Sequence, residues 1–130
     1  MKQRIYTDTS VIGGCFDAEF SEWSKALFKE FAEGSKIVVV SNLTRLELEG
    51  APGRIRDILM TVPENFMENV SLGDEAEVLA DLYIAEKVVT SKHIVDARHI
   101  AVATVERVDV LASWNFKEMV NLDRIRAFNA

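Results

Sequence analysis

Four consecutive residues, Ile37, Val38, Val39 and Val40, are apolar and β-branched, with Lys36 before them and Ser41-Asn42 after. Successive side chains of a strand point to opposite sides, so this strand is apolar on both faces. Both faces then need cover, which is the situation of a strand buried in a parallel sheet. This run points to an α/β architecture in which helices cover both sides of a sheet.

The rest of the chain alternates in the same sense. Residues 4–8 read as a first strand, and a short helical turn over 10–14 is broken by Gly13-Gly14. An amphipathic helix is predicted over 18–33, with Phe20, Trp23, Leu27, Phe28 and Phe31 lining one face before Gly34 ends it. Ser41 or Asn42 can cap a helix running to Gly50, and a further helix over 53–61 stops before Pro63. Residues 67–72 form a short strand. Residues 74–86 form a helix with Ala76, Leu79, Ala80 and Tyr83 inward, and a long helix is expected over 91–107. Val110-Leu111-Ala112 is a brief strand, and residues 122–128 are a last short helix or edge segment. Alternating strands and helices imply a three-layer α/β/α sandwich with a mainly parallel central sheet and right-handed crossovers. With 130 residues, no repeat and no linker-like tract, residues 1–130 read as a single domain.

A single cysteine, Cys15, excludes an intramolecular disulfide and a cysteine-based zinc site. A lone thiol, no membrane-length apolar run and no secretory leader suit a cytoplasmic protein without a membrane association. The net charge of -6 speaks against broad electrostatic capture of nucleic acid. It does not exclude a nuclease whose carboxylates are offset locally by divalent ions.

In a parallel sheet, chemistry gathers beyond the carboxyl ends of the strands. Asp8 ends the first strand, where it can also simply cap the following turn. Glu47 falls on the stripe marked by Leu43, Leu46 and Gly50, so its carboxylate is expected to be partly buried. A buried charge needs a partner or a metal, and the plain alternative is an ion pair with Arg45 or Arg98. Asp96 lies four residues before Ile100, on a helix that buries Ala97, Ile100, Ala101 and Thr104. Its alternative role is a charge placed to suit the helix dipole. Asn115 follows the last strand between Trp114 and Phe116, which are expected to pack, and its amide oxygen is an acceptable weak ligand for a hard cation. Ser113 is positioned to hydrogen-bond to a neighbouring carboxylate. Taken together, oxygen groups delivered from separate strand ends suit a divalent cation and phosphodiester hydrolysis.

Four segments carry a resemblance to a known family: Asp8-Thr9-Ser10, the run from Ser41 through Leu43 and Arg45 to Glu47, the run Asp96-Ala97-Arg98-His99-Ile100-Ala101-Val102-Ala103, and Ser113-Trp114-Asn115-Phe116. In this order they resemble the PIN-domain ribonucleases, most closely the short single-domain forms that include VapC-type toxins. The resemblance implies Asp8, Glu47 and Asp96 as catalytic, metal-binding carboxylates for Mg²⁺ or Mn²⁺, with Asn115 at the fourth position. Many members carry an Asp there, so Asn115 is a departure that bears on the number of ions. Thr9, Ser10 and Ser113 match positions that orient the carboxylates or the attacking water. The resemblance further implies an RNA substrate, a homodimer and an antitoxin protein as partner. The rival expectation is a PIN-like binding or regulatory module that no longer cuts. A phosphoacceptor receiver domain would need an acidic pair after the first strand and a late lysine at a strand end, and neither is evident.

Several residues carry bland expectations. His93 and His99 lie on opposite sides of one helix, so His99 is expected to be a hydrogen-bonding residue beside the site and not a metal ligand. Cys15 has no basic partner to activate it. Trp23, Phe28 and Phe31 are expected in the core, and Arg54, Arg56, Arg124 and Arg126 are candidates for phosphate contacts.

Overall fold

The computed structural model describes residues 2–87, 89 and 93–115. Four strands, β1 (Arg4–Thr7), β2 (Ile37–Ser41), β3 (Met67–Val70) and β4 (Val110–Ala112), form one sheet in the order β3-β2-β1-β4. All three pairings are parallel. The Ile37–Val40 run therefore sits where its composition demanded, in β2 between two neighbours.

Alternation along the strands splits the core into two layers. Tyr6 and Val39 face one side and pack with Ala76, Ala80 and Tyr83 of α5 (Asp74–Ala85) and with Ala97, Ile100 and Ala101 of α6 (Ile94–Val105). Ile5, Val38 and Val40 face the other side. There they meet Val11 and Ile12 of α1 (Thr9–Gly13), Phe28 and Phe31 of α2 (Ser21–Glu33), Leu48 of α3 (Asn42–Glu49) and Leu59 of α4 (Gly53–Met60). The result is the three-layer sandwich expected from the sequence.

Local departures have local causes. Gly13-Gly14 does not stop the chain from coiling: a 3-10 turn over Gly14–Phe16 follows α1 directly. The second helix starts at Ser21 and not at residue 18. The Asp17 side chain accepts from the Glu19 amide at 2.8 Å, and its carbonyl accepts from Phe20 and Ser21. This Asx-type turn uses donors that a helix start would otherwise leave free. Gly34 closes α2 in the left-handed region at φ 79°, and a side chain there would run into the Phe66 ring. Trp23, expected inward, is 64% exposed, whereas Phe28 and Phe31 are buried as expected. The described part of α6 begins at Ile94, and the segment expected over 122–128 lies outside the described residues.

The amino edge of the sheet is closed by Arg4. Its guanidinium makes two bonds to the Glu68 carboxylate at 2.8 and 2.9 Å, and donates to the carbonyls of Glu106 and Arg107 just beyond α6. Strands β1 and β3 and the end of α6 are thus tied together below the sheet. The opposite, carboxyl edge carries the polar residues singled out above.

Candidate functional site

Asp8 follows β1 and is 2% exposed. Its Oδ1 accepts from the Ser10 hydroxyl at 2.6 Å and from the Val11 amide at 3.3 Å, so it is the N-cap of α1. The capping role weighed from the sequence is real, and it engages one carboxylate oxygen. The other makes no hydrogen bond among the described residues.

Ser10 connects this carboxylate to the end of β4. Its hydroxyl accepts from the Trp114 amide at 3.0 Å and lies 3.3 Å from the Ser113 hydroxyl. Ser113 was expected to bond a carboxylate directly. It meets Ser10 instead, because Ser10 stands between it and Asp8, and it accepts from the Asn115 amide at 3.2 Å. Asn115 itself is exposed, and Phe116 lies outside the described residues.

Trp114 fastens this segment to the helical layer. Its ring stacks on Phe20 at 5.1 Å with a 7° interplanar angle, and its Nε1 donates to the Ser24 hydroxyl at 3.0 Å. Ser24 in turn donates to the Val11 carbonyl at 2.7 Å. Gly14 leaves the room for this joint, since a Cβ there would stand 2.5 Å from Ser24 Oγ and 2.7 Å from Trp114 Nε1. Gly14→Ala should therefore cost about 1–3 kcal/mol of stability and weaken the near-ultraviolet circular dichroism of the Phe20–Trp114 stack. An unchanged melting temperature together with an unchanged spectrum would show that the joint yields without strain.

Glu47 departs from its expected setting. Leu46 is 66% exposed, and α3 buries Thr44 and Leu48, so the packed stripe is not the one drawn through residues 43, 46 and 50. The Glu47 side chain is 40% exposed. Its partner is neither Arg45, which bonds Asn69, nor Arg98, but His99, whose Nε2 is 2.7 Å from Glu47 Oε1. The His99 ring is buried, and its Nδ1 is 2.6 Å from the Tyr6 hydroxyl, which is 2.7 Å from Ser41 Oγ. Sequence reasoning placed His99 beside the site and Ser41 as a cap, but missed Tyr6. The available signal was the strand alternation that turns Tyr6 toward α6.

Asp96 lies in the first turn of α6 with 21% side-chain exposure, 3.5 Å from His93 Nδ1. Burial holds its carboxyl above the usual range, against the pull of His99 and His93, and the charge of Asp8 pushes in the same direction as burial. Burial likewise raises the Tyr6 phenol, helped by the charges of Asp8 and Glu47. Asp8 thus acts electrostatically on Asp96 and, together with Glu47, on Tyr6. Among the described residues, however, no three His, Cys, Asp or Glu side chains are gathered into a ready cation cage.

The raised Asp96 carboxyl has a pH signature. A carboxyl held above its unfolded value opposes folding once ionised: its favourable contribution is complete below the unfolded pKa and is lost as pH rises through the folded one. Asp96→Asn should then raise the melting temperature of metal-free protein at about pH 7. The gain over wild type should vanish at about pH 3, where Asp96 is protonated in both states. Thermal melts in chelator at the two pH values test this, and an equal gain at both would remove ionisation as its cause.

No protein-family model and no curated protein matches the sequence. Among solved structures, the chain superposes on the VapC20 toxin of Mycobacterium tuberculosis, described as cleaving the sarcin–ricin loop. The TM-score is 0.57 at 16% identity, over 85% of this chain and 89% of that one. The fold is PIN-like. VapBC2 from Rickettsia felis, solved bound to a DNA fragment from its promoter, is also similar, at 12% identity and a TM-score of 0.49, over 87% of this chain and 100% of that one. Among the described residues, no helix of this PIN-like fold is long and apolar enough to cross a membrane.

A PIN-like fold raises the question of whether these residues suit a divalent cation. Mg²⁺ typically takes one or two protein carboxylates and keeps several waters. Asp8 and Asp96 are two such carboxylates, close enough for the charge of one to disfavour ionisation of the other. Thr9 Oγ1, on the residue next to Asp8, is buried with no hydrogen-bond partner among the described residues, as an atom that orients a water would be. An oxygen-only donor set of this kind fits a hard, hydrated cation better than a caged one.

Other features of the PIN-like fold fall outside this edge. A groove of about 410 Å³ is lined by residues including Arg45, Leu48, Arg56, Leu59, Met60 and Met67, and by none of the three acids. Arg54 lies over the Phe16 ring at 5.1 Å, while Arg124 and Arg126 lie outside the described residues. The Cys15 thiol is buried and pushed up by that burial, in keeping with an unreactive side chain.

Proposed function

We propose that this protein is a metal-dependent endoribonuclease that uses Mg²⁺ or Mn²⁺, with Asp8, Glu47 and Asp96 as its carboxylates and Asn115 at their rim. The observation that carries this reading is the Asp8–Asp96 pair. Asp8 is buried at the carboxyl edge of the sheet with Oδ1 held by Ser10 and the Val11 amide and its other oxygen without a hydrogen bond among the described residues, and a cation there would offset its repulsion with Asp96.

When bound, the cation supplies Lewis-acid stabilisation of phosphodiester oxygens and a more acidic water. The chain's own groups do the positioning. Ser10 and the Val11 amide hold Asp8 by Oδ1, Ser113 buttresses Ser10, and Thr9 Oγ1 is free to orient a water. Asn115 stands exposed where an RNA strand can reach its amide. VapC20 is described as cleaving the sarcin–ricin loop, and the substrate proposed here is single-stranded or looped RNA. A homodimer, a cytoplasmic setting and an antitoxin that offers an Arg to the acidic edge belong to the same proposal. Incubation with loop-containing RNA in Mn²⁺, against the same mixture in excess chelator, tests it. Equal RNA integrity in both, from protein shown to be folded, would end it.

A second reading is favoured by one observation: the fourth position is an exposed amide, and no three of the described acids and histidines form a cage. On that reading the protein is a PIN-like module that binds without cutting. Mn²⁺ titration separates the two, because a module that has lost catalysis by losing its cation site stays unbound at millimolar Mn²⁺.

A further inference from the structure

A fully buried hydrogen-bonded chain runs from the end of β2 to the exposed carboxylate of Glu47. It passes from Ser41 to Tyr6 at 2.7 Å, from Tyr6 to His99 at 2.6 Å, and from His99 to Glu47 at 2.7 Å. Ser41 and Tyr6 are 0% exposed and His99 is 2% exposed.

The two ends of the chain have fixed roles. The Thr44 backbone N–H can only donate, and it donates to Ser41 Oγ at 3.3 Å. The Glu47 carboxylate can only accept, so His99 Nε2 carries a hydrogen. When the ring is neutral, Nδ1 accepts from Tyr6 and Tyr6 Oη accepts from Ser41; when it is protonated, Nδ1 donates to Tyr6 and Tyr6 donates to Ser41. In either case Nε2 presents an N–H to Glu47 and Nδ1 is anchored on Tyr6.

The destination of the chain matters. A histidine that served only the core would close both ring nitrogens inside it. Here one nitrogen is anchored in the core, and the other reaches a side chain that is 40% exposed. Exposed glutamates have many rotamers and gain little stability from one such bond. The effect of this bond is orientation: it fixes Oε1 and leaves Oε2 without a hydrogen bond among the described residues.

We infer that His99, braced by Tyr6 and Ser41, is the positioning residue of Glu47, holding that carboxylate ready for the divalent cation or a water of its shell. This rests on the reading of Glu47 as part of the cation site. Partners that orient a metal ligand in this way commonly change metal affinity by about 10–100-fold when removed.

The test is Mn²⁺ affinity, measured by the electron paramagnetic resonance of free Mn²⁺ on the full chain, with circular dichroism to confirm folding. His99→Leu should weaken Mn²⁺ binding about 10-fold. His99→Gln, which restores an N–H toward Glu47, should recover most of that loss. The deciding comparison is the same pair of variants in a Glu47→Gln background, where a residue acting through Glu47 has no further effect and the cycle is strongly non-additive. Should His99→Leu fail to fold, Tyr6→Phe keeps the shape of the core and removes only the hydroxyl, and it should weaken Mn²⁺ binding in the Glu47 background alone. Wild-type affinity in these variants, or the same loss in both backgrounds, overturns the inference while the nuclease reading stands. A wild-type protein that binds no Mn²⁺ at millimolar concentration overturns both.

Discussion

Asp8→Asn should lower RNA cleavage on the order of 1,000-fold while leaving the fold intact. The rate term follows from the size of metal-ion stabilisation of a phosphodiester transition state, several kcal/mol, at tenfold per 1.36 kcal/mol. The intact fold follows from the cap. Asn is as good an N-cap as Asp, so its side-chain oxygen can still accept from Ser10 and Val11 as Asp8 does now. The charge that disfavours ionised Asp96 is also removed. Single-turnover cleavage of a loop RNA in Mn²⁺ and a thermal melt of the same preparation check both halves. Lost cleavage with a collapsed melting temperature would mean that Asp8 is needed for the fold and would leave its chemistry undecided by this variant, so Asp8→Ser, another good cap without charge, is the companion. Undiminished cleavage by either variant contradicts the proposed site.

Phe31→Ala should have the opposite profile, a large loss of stability with no direct effect on the acidic edge. Phe31 is 0% exposed, meets Phe28 edge to face at 5.2 Å and 84°, and lies in the cluster that covers Ile5, Val38 and Val40 on one face of the sheet. Truncating a buried Phe costs about 3–5 kcal/mol, a large share of the roughly 5–15 kcal/mol that holds a domain together. The melting temperature should fall by on the order of 10 °C. Mn²⁺ affinity, measured well below the lowered melting point, should match wild type. A loss below about 1 kcal/mol would show that the α2 layer closes over the cavity.

The layers were legible in the chain because burial on two sides leaves a strong mark. Ile37 to Val40 has one explanation, and the spacing of Phe28 and Phe31, or of Ala76, Ala80 and Tyr83, has one face to bury. Misreadings came where an apolar residue was taken as a buried one. Trp23 and Leu46 lie on the solvent side of their helices, and surfaces carry many such residues without consequence. For Leu46 the error had an effect, since it rotated the assumed stripe of α3 and made Glu47 seem buried. Asp8 was legible as the residue that ends the first strand, and Asp96 as a carboxylate beside apolar helix neighbours. The bracing of Glu47 was only half visible, because Tyr6 and His99 are 93 positions apart and Glu47 and His99 are 52 apart. No local pattern encodes pairings of that range. The joint made by Gly14, Ser24 and Trp114 was hidden for the same reason, although Trp114 was rightly expected to pack.

The strand order has a bearing on how the chain is made. β1 lies between β2 and β4, and its partner residues in β4 are about a hundred positions downstream, with Ile5 beside Val110 and Thr7 beside Ala112. A chain emerging amino end first can therefore join β1 to β2 early, while the other flank of β1 stays bare until Val110–Ala112 has emerged. Asp8 lacks the Trp114 segment beside it throughout that interval, and Asp96 for most of it. The carboxyl edge that carries Asp8 is therefore completed only when the strand from the far end of the described chain docks against β1.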